Sequence, residues 1–423
     1  MKKKALGLSM AAILAMTALA GCSGSGAQEE NAQSKDGNVT IKFWQTMNPE
    51  ETKTLEKIVK EFEAANKNIK IEMQPVPFTD AQNKFKTAAQ GGDAPDVIRA
   101  EIAWTPEFAA LGFLLPIDDK ISAADKADYM KAPMNYNIYE GKTYGIPQVT
   151  DAPALLYNKR MLQEAGVATA PKTMDEFYDA AKKLTQPDKG QYGYYVSADS
   201  YFLQPFLWAF GGGTVTDSKE IQITKPESVQ GLEFLLKLKN DKLSQANFDF
   251  PNQYNNQMTD FKEGKVGMII NGPWATADIL SGKEFKSNPD NFGIAPIPAG
   301  PKGQGSPVGG HNLVIYKGTK HADEAYKFIE FLNKKENQVL LAKENKLLPT
   351  RQSAYDDAAL KDDKILQGFK AQLDKATNRP VIPEGGQLFT AFTPALEAAV
   401  KGEKTPVEAL KSVETAWKTL LKK

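Results

Sequence analysis

The chain alternates between two hydrophobic periods. Val39, Ile41 and Phe43 are separated by single polar residues, the period of a strand with one buried face. Asn48-Pro49-Glu50-Glu51 follows, supplying an N-cap, a proline at the first helical position and carboxylates near the positive end of a helix dipole. Leu55, Ile58, Val59 and Phe62 then recur at i, i+3, i+4 and i+7, which predicts a helix with one apolar face. Ile69, Ile71 and Met73 return to strand alternation, Gly91-Gly92 ends the next helical stretch, and Asp96-Val97-Ile98 reads as a short buried strand. Thr105-Pro106-Glu107 predicts a helix start that Gly112 closes. Thr173 with Glu176 predicts a capping box ahead of Phe177, Ala180, Ala181 and Leu184. Thr405-Pro406-Val407-Glu408 predicts another ahead of Leu410, Val413, Trp417 and Leu420. Strand and helix alternating over this length predict an α/β architecture with helices covering both sheet faces. No repeat of fixed period is present.

The first residues follow neither period. Lys2-Lys3-Lys4 precede an apolar run over 5–20, too short to span a bilayer comfortably and suited to a secretory signal. The run ends in Leu19-Ala20-Gly21-Cys22, which resembles the lipobox of bacterial lipoproteins. That resemblance implies cleavage after residue 21, a diacylglyceryl group on the Cys22 thiol and acylation of the new amine. Two or more acyl chains give durable attachment to a membrane, where one alone is marginal. Residues 23–37 are small and polar and predict a flexible tether.

Composition narrows the function. The 423 residues suffice for two or three globular units, and 41% hydrophobic with 25% charged residues excludes wholesale disorder. Fifty-two basic residues balance 52 acidic ones, so no electrostatic footprint for nucleic acid exists. One cysteine permits neither an internal disulfide nor a multi-cysteine metal site. Gly141-Lys142-Thr143 lacks the upstream glycine of a phosphate-binding loop, because position 136 is Tyr136. No zinc-binding or nucleophile-elbow motif occurs, and no cofactor is expected. A glycosidase, which needs only two carboxylates, stays open on composition alone.

Five segments, in order, resemble the extracellular solute-binding proteins of sugar ABC transporters, in the maltose/maltodextrin branch. They are Gly92-Asp93-Ala94-Pro95-Asp96-Val97, Gly145-Ile146-Pro147, Leu156-Tyr157-Asn158-Lys159, Phe261-Lys262-Glu263-Gly264-Lys265-Val266-Gly267-Met268 and Asn271-Gly272-Pro273-Trp274. The resemblance runs from about residue 38 to the C-terminus. It implies a two-lobe periplasmic-binding-protein fold with an interlobe hinge and a ligand cleft. Lobe I would comprise 38–148 with 299–337, and lobe II 149–298 with 338–423. It further implies a monomer that takes oligosaccharide, hands it to the permease subunits of an ABC importer, and sits on the extracytoplasmic face of the membrane. A sensor subunit for a signalling receptor would share this fold and ligand site.

Sugar chemistry sets the expected lining. Ring faces carry C–H patches that aromatic rings cover, and the hydroxyl girdle donates to carboxylates. By resemblance, Glu101 and Trp104 would face the sugar. Asp151 would supply an acid at the hinge strand, and Asp199 with Tyr201 an acid and a ring. Trp274 would stack, Phe392 (with Phe389 nearby) would add a further ring, and Gln45 an amide. Gly309-Gly310-His311 would line the cleft.

Overall fold

A computed structural model describes residues 37–423. The signal segment, Cys22 and the tether through residue 36 lie outside the described residues. Strands run in chain order as β1 (Val39–Gln45), β2 (Ile69–Pro75), β3 (Val97–Glu101), β4 (Ile138–Tyr139), β5 (Lys142–Thr143), β6 (Gly145–Asp151), β7 (Ala154–Asn158), β8 (Tyr192–Tyr194), β9 (Val266–Asn271), β10 (Phe292–Ala295), β11 (Gly309–Ile315) and β12 (Leu348–Pro349).

Two sheets organise the molecule. The larger has the order β12-β6-β11-β3-β1-β2, the smaller β10-β7-β9-β8, and β4 pairs with β5 alone. β1 lies parallel to β2 and β3, as strands joined through crossover helices must. β11 runs antiparallel between β3 and β6.

Side-chain alternation decides which core each strand feeds. Ile41 and Phe43 of β1 pack with Leu55, Ile58 and Phe62 of the helix Pro49–Ala65 and with Phe328 of the helix Ala322–Leu332. The Phe43 and Phe328 rings meet edge-on at 5.3 Å. Val97 of β3 joins that core, whereas Ile98, one residue on, joins Phe85 and Phe108 beneath the other face. In the small sheet, Leu155 faces Phe177, Phe206 and Trp417 while Leu156 faces Phe261, Phe285 and Phe369. Helices thus cover both faces of both sheets.

Two of the four capping expectations hold in detail. Asn48 accepts from the backbone of Glu50 and Glu51 while Glu51 returns a bond to the Asn48 N–H, and Thr405 with Glu408 does likewise. Thr173 forms only half of its box: it accepts from Glu176 N, but the Glu176 carboxylate accepts from Lys172 N instead. Thr105 is no cap. The helix begins at Trp104, and the Thr105 hydroxyl accepts from the buried Asn312 amide at 2.9 Å.

The chain leaves the large sheet after Asp151 and enters the small one at Ala154, through Ala152-Pro153. It returns over 296–308. The expected break after Gln148 would cut β6, whose backbone bonding to β11 continues to Asp151. The expected start of lobe II at 338 likewise strands β12, which bonds to β6 at the edge of the large sheet. No helix among the described residues is long and apolar enough to cross a membrane.

Candidate functional site

The carboxyl ends of β1, β3, β6 and β9 and the start of β11 converge where the chain passes between the sheets. Open α/β sheets bind ligands outside the carboxyl ends of their strands. Glu101 ends β3, Asp151 ends β6, and Trp274 follows β9 by three residues.

Asp151 is 8% exposed, and among the described residues its one side-chain hydrogen bond comes from the Tyr201 hydroxyl at a long 3.5 Å. Burial pushes its carboxyl up to about 7, against the pull of Arg379 and Arg99. Room for this pair depends on Gly309, where an added Cβ would sit 2.1 Å from Asp151 Oδ1 and 2.5 Å from the Tyr201 oxygen. Tyr201 stands in the first turn of the helix Ser200–Ala209. Asp199 caps that helix by accepting from Tyr201 N at 2.8 Å. Asp199 therefore orients the ring, and burial raises its own carboxyl above the ordinary range.

Arg379 lies at the centre. It pairs with Glu101, donates Nε to the Val308 carbonyl at 3.0 Å, and places its guanidinium 5.6 Å from the Tyr201 ring centre and 5.7 Å from that of Phe389. Burial would discharge Arg379, but Glu101 outweighs it and holds the group charged. The second Glu101 oxygen accepts from Ala103 N at 2.9 Å. Beneath them the buried Arg99 donates to Gln148 at 2.8 Å and Thr46 at 3.0 Å, and burial lowers it to about 10.

Trp274 is half-buried between the packed regions of both sheets. Its ring centre is 6.5 Å from that of Tyr201, and its indole N–H donates to the Tyr254 hydroxyl at 3.1 Å. Its carbonyl accepts from Asn48 at 3.2 Å, joining the turn after β1 to the loop after β9. Gly272 allows the indole to fold back over the backbone, since a Cβ there would lie 1.9 Å from Cζ3.

Three expected residues sit elsewhere. Gln45 is 0% exposed, and its amide accepts from Met47 N at 2.6 Å and donates to Thr52 at 3.2 Å. The turn from strand to helix consumes it. Trp104 is 5% exposed and lies under Phe78, the rings stacked at 5.2 Å, so Phe78, itself 50% exposed, is the ring the solvent meets. Phe392 is 1% exposed and edge-on to Trp417 at 5.6 Å. The buried stripe Leu388, Phe392, Ala395, Leu396 and Ala399 carries it into the core, and Phe389, off that stripe, faces Tyr201 at 6.2 Å instead.

The structure thus gathers Glu101, Asp151, Tyr201 and Trp274, brings in Phe389 rather than Phe392, spends Asp199 on the helix cap, and adds Arg379, Phe78 and Tyr254. Phe78 carries a readable signal, an aromatic just past the end of a parallel strand. Arg379-Pro380 and Tyr254 carry none, because the ion-pair partner of Arg379 is 278 residues away in sequence and the Trp274 that meets Tyr254 is placed by a loop.

Carboxylates and a guanidinium set among aromatic rings, at the passage between two α/β bodies, define a two-lobed ligand-binding protein. The profile of the bacterial extracellular solute-binding proteins matches residues 48–339, and the chain belongs to that family. It is similar to the maltotriose-binding protein of Pyrococcus abyssi, at 28% identity over 391 residues that cover 90% of this chain and 82% of the relative. The maltodextrin-binding protein MdxE of Bacillus subtilis is 27% identical over 424 residues, 95% of this chain and 94% of the relative. Among solved structures, the GacH receptor of Streptomyces glaucescens, known unliganded and with acarbose, superposes with a TM-score of 0.87 at 36% identity, covering 91% of this chain and 99% of that one. These relatives bind solutes rather than transform them, and the chain is a binding protein, not an enzyme.

Proposed function

We propose that the protein captures maltodextrin-type oligosaccharides and delivers them to an ABC importer from a lipid anchor at Cys22 on the outer face of the cell membrane. The observation that carries the reading is the lining itself, with Tyr201, Phe389 and Trp274 as rings and Glu101, Asp151 and Arg379 as hydrogen-bonding charges. Rings cover the C–H faces of glucose units by area burial, and the charged groups bond the hydroxyls. Lobe I comprises β1 to β6 with β11 and β12, and lobe II contains β7 to β10. The hinge runs through Ala152-Pro153 and the return over 296–308. Capture proceeds by closure, in which sugar held on one lobe draws in the other, and contacts made only when shut bias the equilibrium.

Calorimetric titration with maltotriose, a galacto-oligosaccharide and a xylo-oligosaccharide tests the ligand class. Saturable heat with maltotriose and unchanged sugar on recovery is expected. Binding of another glycan without maltotriose would replace the α-glucan assignment, and shortened sugars would replace capture with hydrolysis.

A further inference from the structure

The imidazole of His311 lies beside Arg379 and Glu101 with neither of its nitrogens hydrogen-bonded among the described residues. His311 is the third residue of β11, paired across the sheet with Glu101 on one side and Val149 on the other. The register slips between His311 and Asn312, a bulge of the kind that re-aims a side chain. Gly310 makes this possible: its φ is +134°, and a Cβ there would lie 2.2 Å from the Val149 carbonyl. The ring meets Phe78 edge-on at 6.0 Å, beside the Phe78–Trp104 stack.

Both Nδ1 and Nε2 are shielded and have no hydrogen-bond partner among the described residues. A neutral imidazole owns one N–H donor and one lone-pair acceptor. Leaving both unmet in a buried place costs free energy, and folded proteins rarely tolerate it without a reason. The next residue along β11, Asn312, has its amide bonded to the Thr105 hydroxyl, while Gln148 on the neighbouring strand leaves only Nε2 unmet and uses its oxygen for Arg99. The charged groups around the ring, Arg99, Arg379 and Glu101, do not bond to it. Burial and the two guanidiniums keep it neutral.

We infer that His311 is a specificity-determining contact for the ligand, its N–H donating to one sugar oxygen and its bare nitrogen accepting from a sugar hydroxyl, on the ring that lies against Phe78. This rests on the oligosaccharide reading above and adds the residue that selects for a neutral, hydroxyl-rich unit at that end of the cleft. A hydroxyl can satisfy either nitrogen. A carboxylate or phosphate could satisfy only the N–H, and an ammonium only the lone pair while facing two guanidiniums.

The chain has two histidines, which makes the test direct. The ring-nitrogen NMR signals of His311 should move on addition of maltotriose while those of His321, at the N-cap of the helix Ala322–Leu332, stay fixed. His311→Leu should lose at least tenfold in maltotriose affinity by calorimetry while the unliganded protein melts at the same temperature or higher, because an unmet polar group has been removed. His311→Gln, which keeps a donor and an acceptor, should recover part of the affinity. Affinity within twofold of wild type in His311→Leu, static His311 signals, or a melting point lowered by several degrees, the mark of a structural histidine, would each overturn the assignment. If wild-type protein binds none of the sugars, the oligosaccharide reading itself falls and takes the inference with it.

Discussion

Two buried arginines show how a scaffold differs from a site. Arg351, 8% exposed, donates to the Asn333 carbonyl, to Asp125 at 2.8 Å and to Asp128 at 3.0 Å, and lies over the Tyr129 ring at 4.6 Å. Its two carboxylates also bond to Ser122 and Ser353. Both carboxylates that face it are answered, although the Nδ2 of the buried Asn333 is not. Arg379 is as deeply buried and has Glu101, but its surroundings are incomplete: among the described residues Asp151 keeps one long bond and His311 none. Charge and burial alone do not distinguish the two. What marks the second is polar capacity left over after folding, which is what a ligand can use.

Substitutions sharpen that contrast. Phe392→Ala, in the core beside Trp417, should have the largest effect, lowering stability by about 3–5 kcal/mol in denaturant unfolding, with sugar affinity intact once folded. Arg351→Met leaves two partly exposed carboxylates unpaired and should cost about 2–4 kcal/mol of stability, again without altering affinity. Trp274→Ala should weaken sugar binding by roughly 1–3 kcal/mol by calorimetry, as for other aromatic stacking platforms, with a smaller loss of stability than Phe392→Ala because the indole is only half-buried.

The smallest expected effect concerns pH. Asp151, facing Arg379, Arg99, Glu101 and Tyr201, has its folded value raised to about 7, above an unfolded value near ~4. The folded state then holds more protons across that window, so this group's contribution to unliganded stability falls as pH rises from about 4 through 7. Asp151→Asn should remove that fall and raise stability at pH 8 on the order of 1–2 kcal/mol. Thermal melts at pH 5 and pH 8 measure it, and a mutant with the wild-type slope would show that Asp151 is not the group responsible.

Legibility in the sequence followed the range of the forces involved. Strand and helix periods are local, so β1, the helix after it, the N-cap at Asn48 and the capping box at Thr405 could be read directly. Trp274 was legible because Gly272-Pro273 forces its loop. Phe392 was misplaced because resemblance fixes a helix but not which of two phenylalanines three residues apart joins its buried stripe. Gln45 was misjudged for a local reason, since a side chain ending a strand can be spent on the turn that follows. Arg379 was illegible, since its partner Glu101 comes from β3 and nothing near Arg379 in sequence announces the pairing.

Small-angle X-ray scattering of the unliganded protein, repeated with saturating maltotriose, bears most directly on capture by closure. The radius of gyration should contract on sugar addition and not on addition of a non-binding control such as sucrose at equal mass. Measurable heat of maltotriose binding with an unchanged scattering profile would mean that the lobes do not close on the sugar.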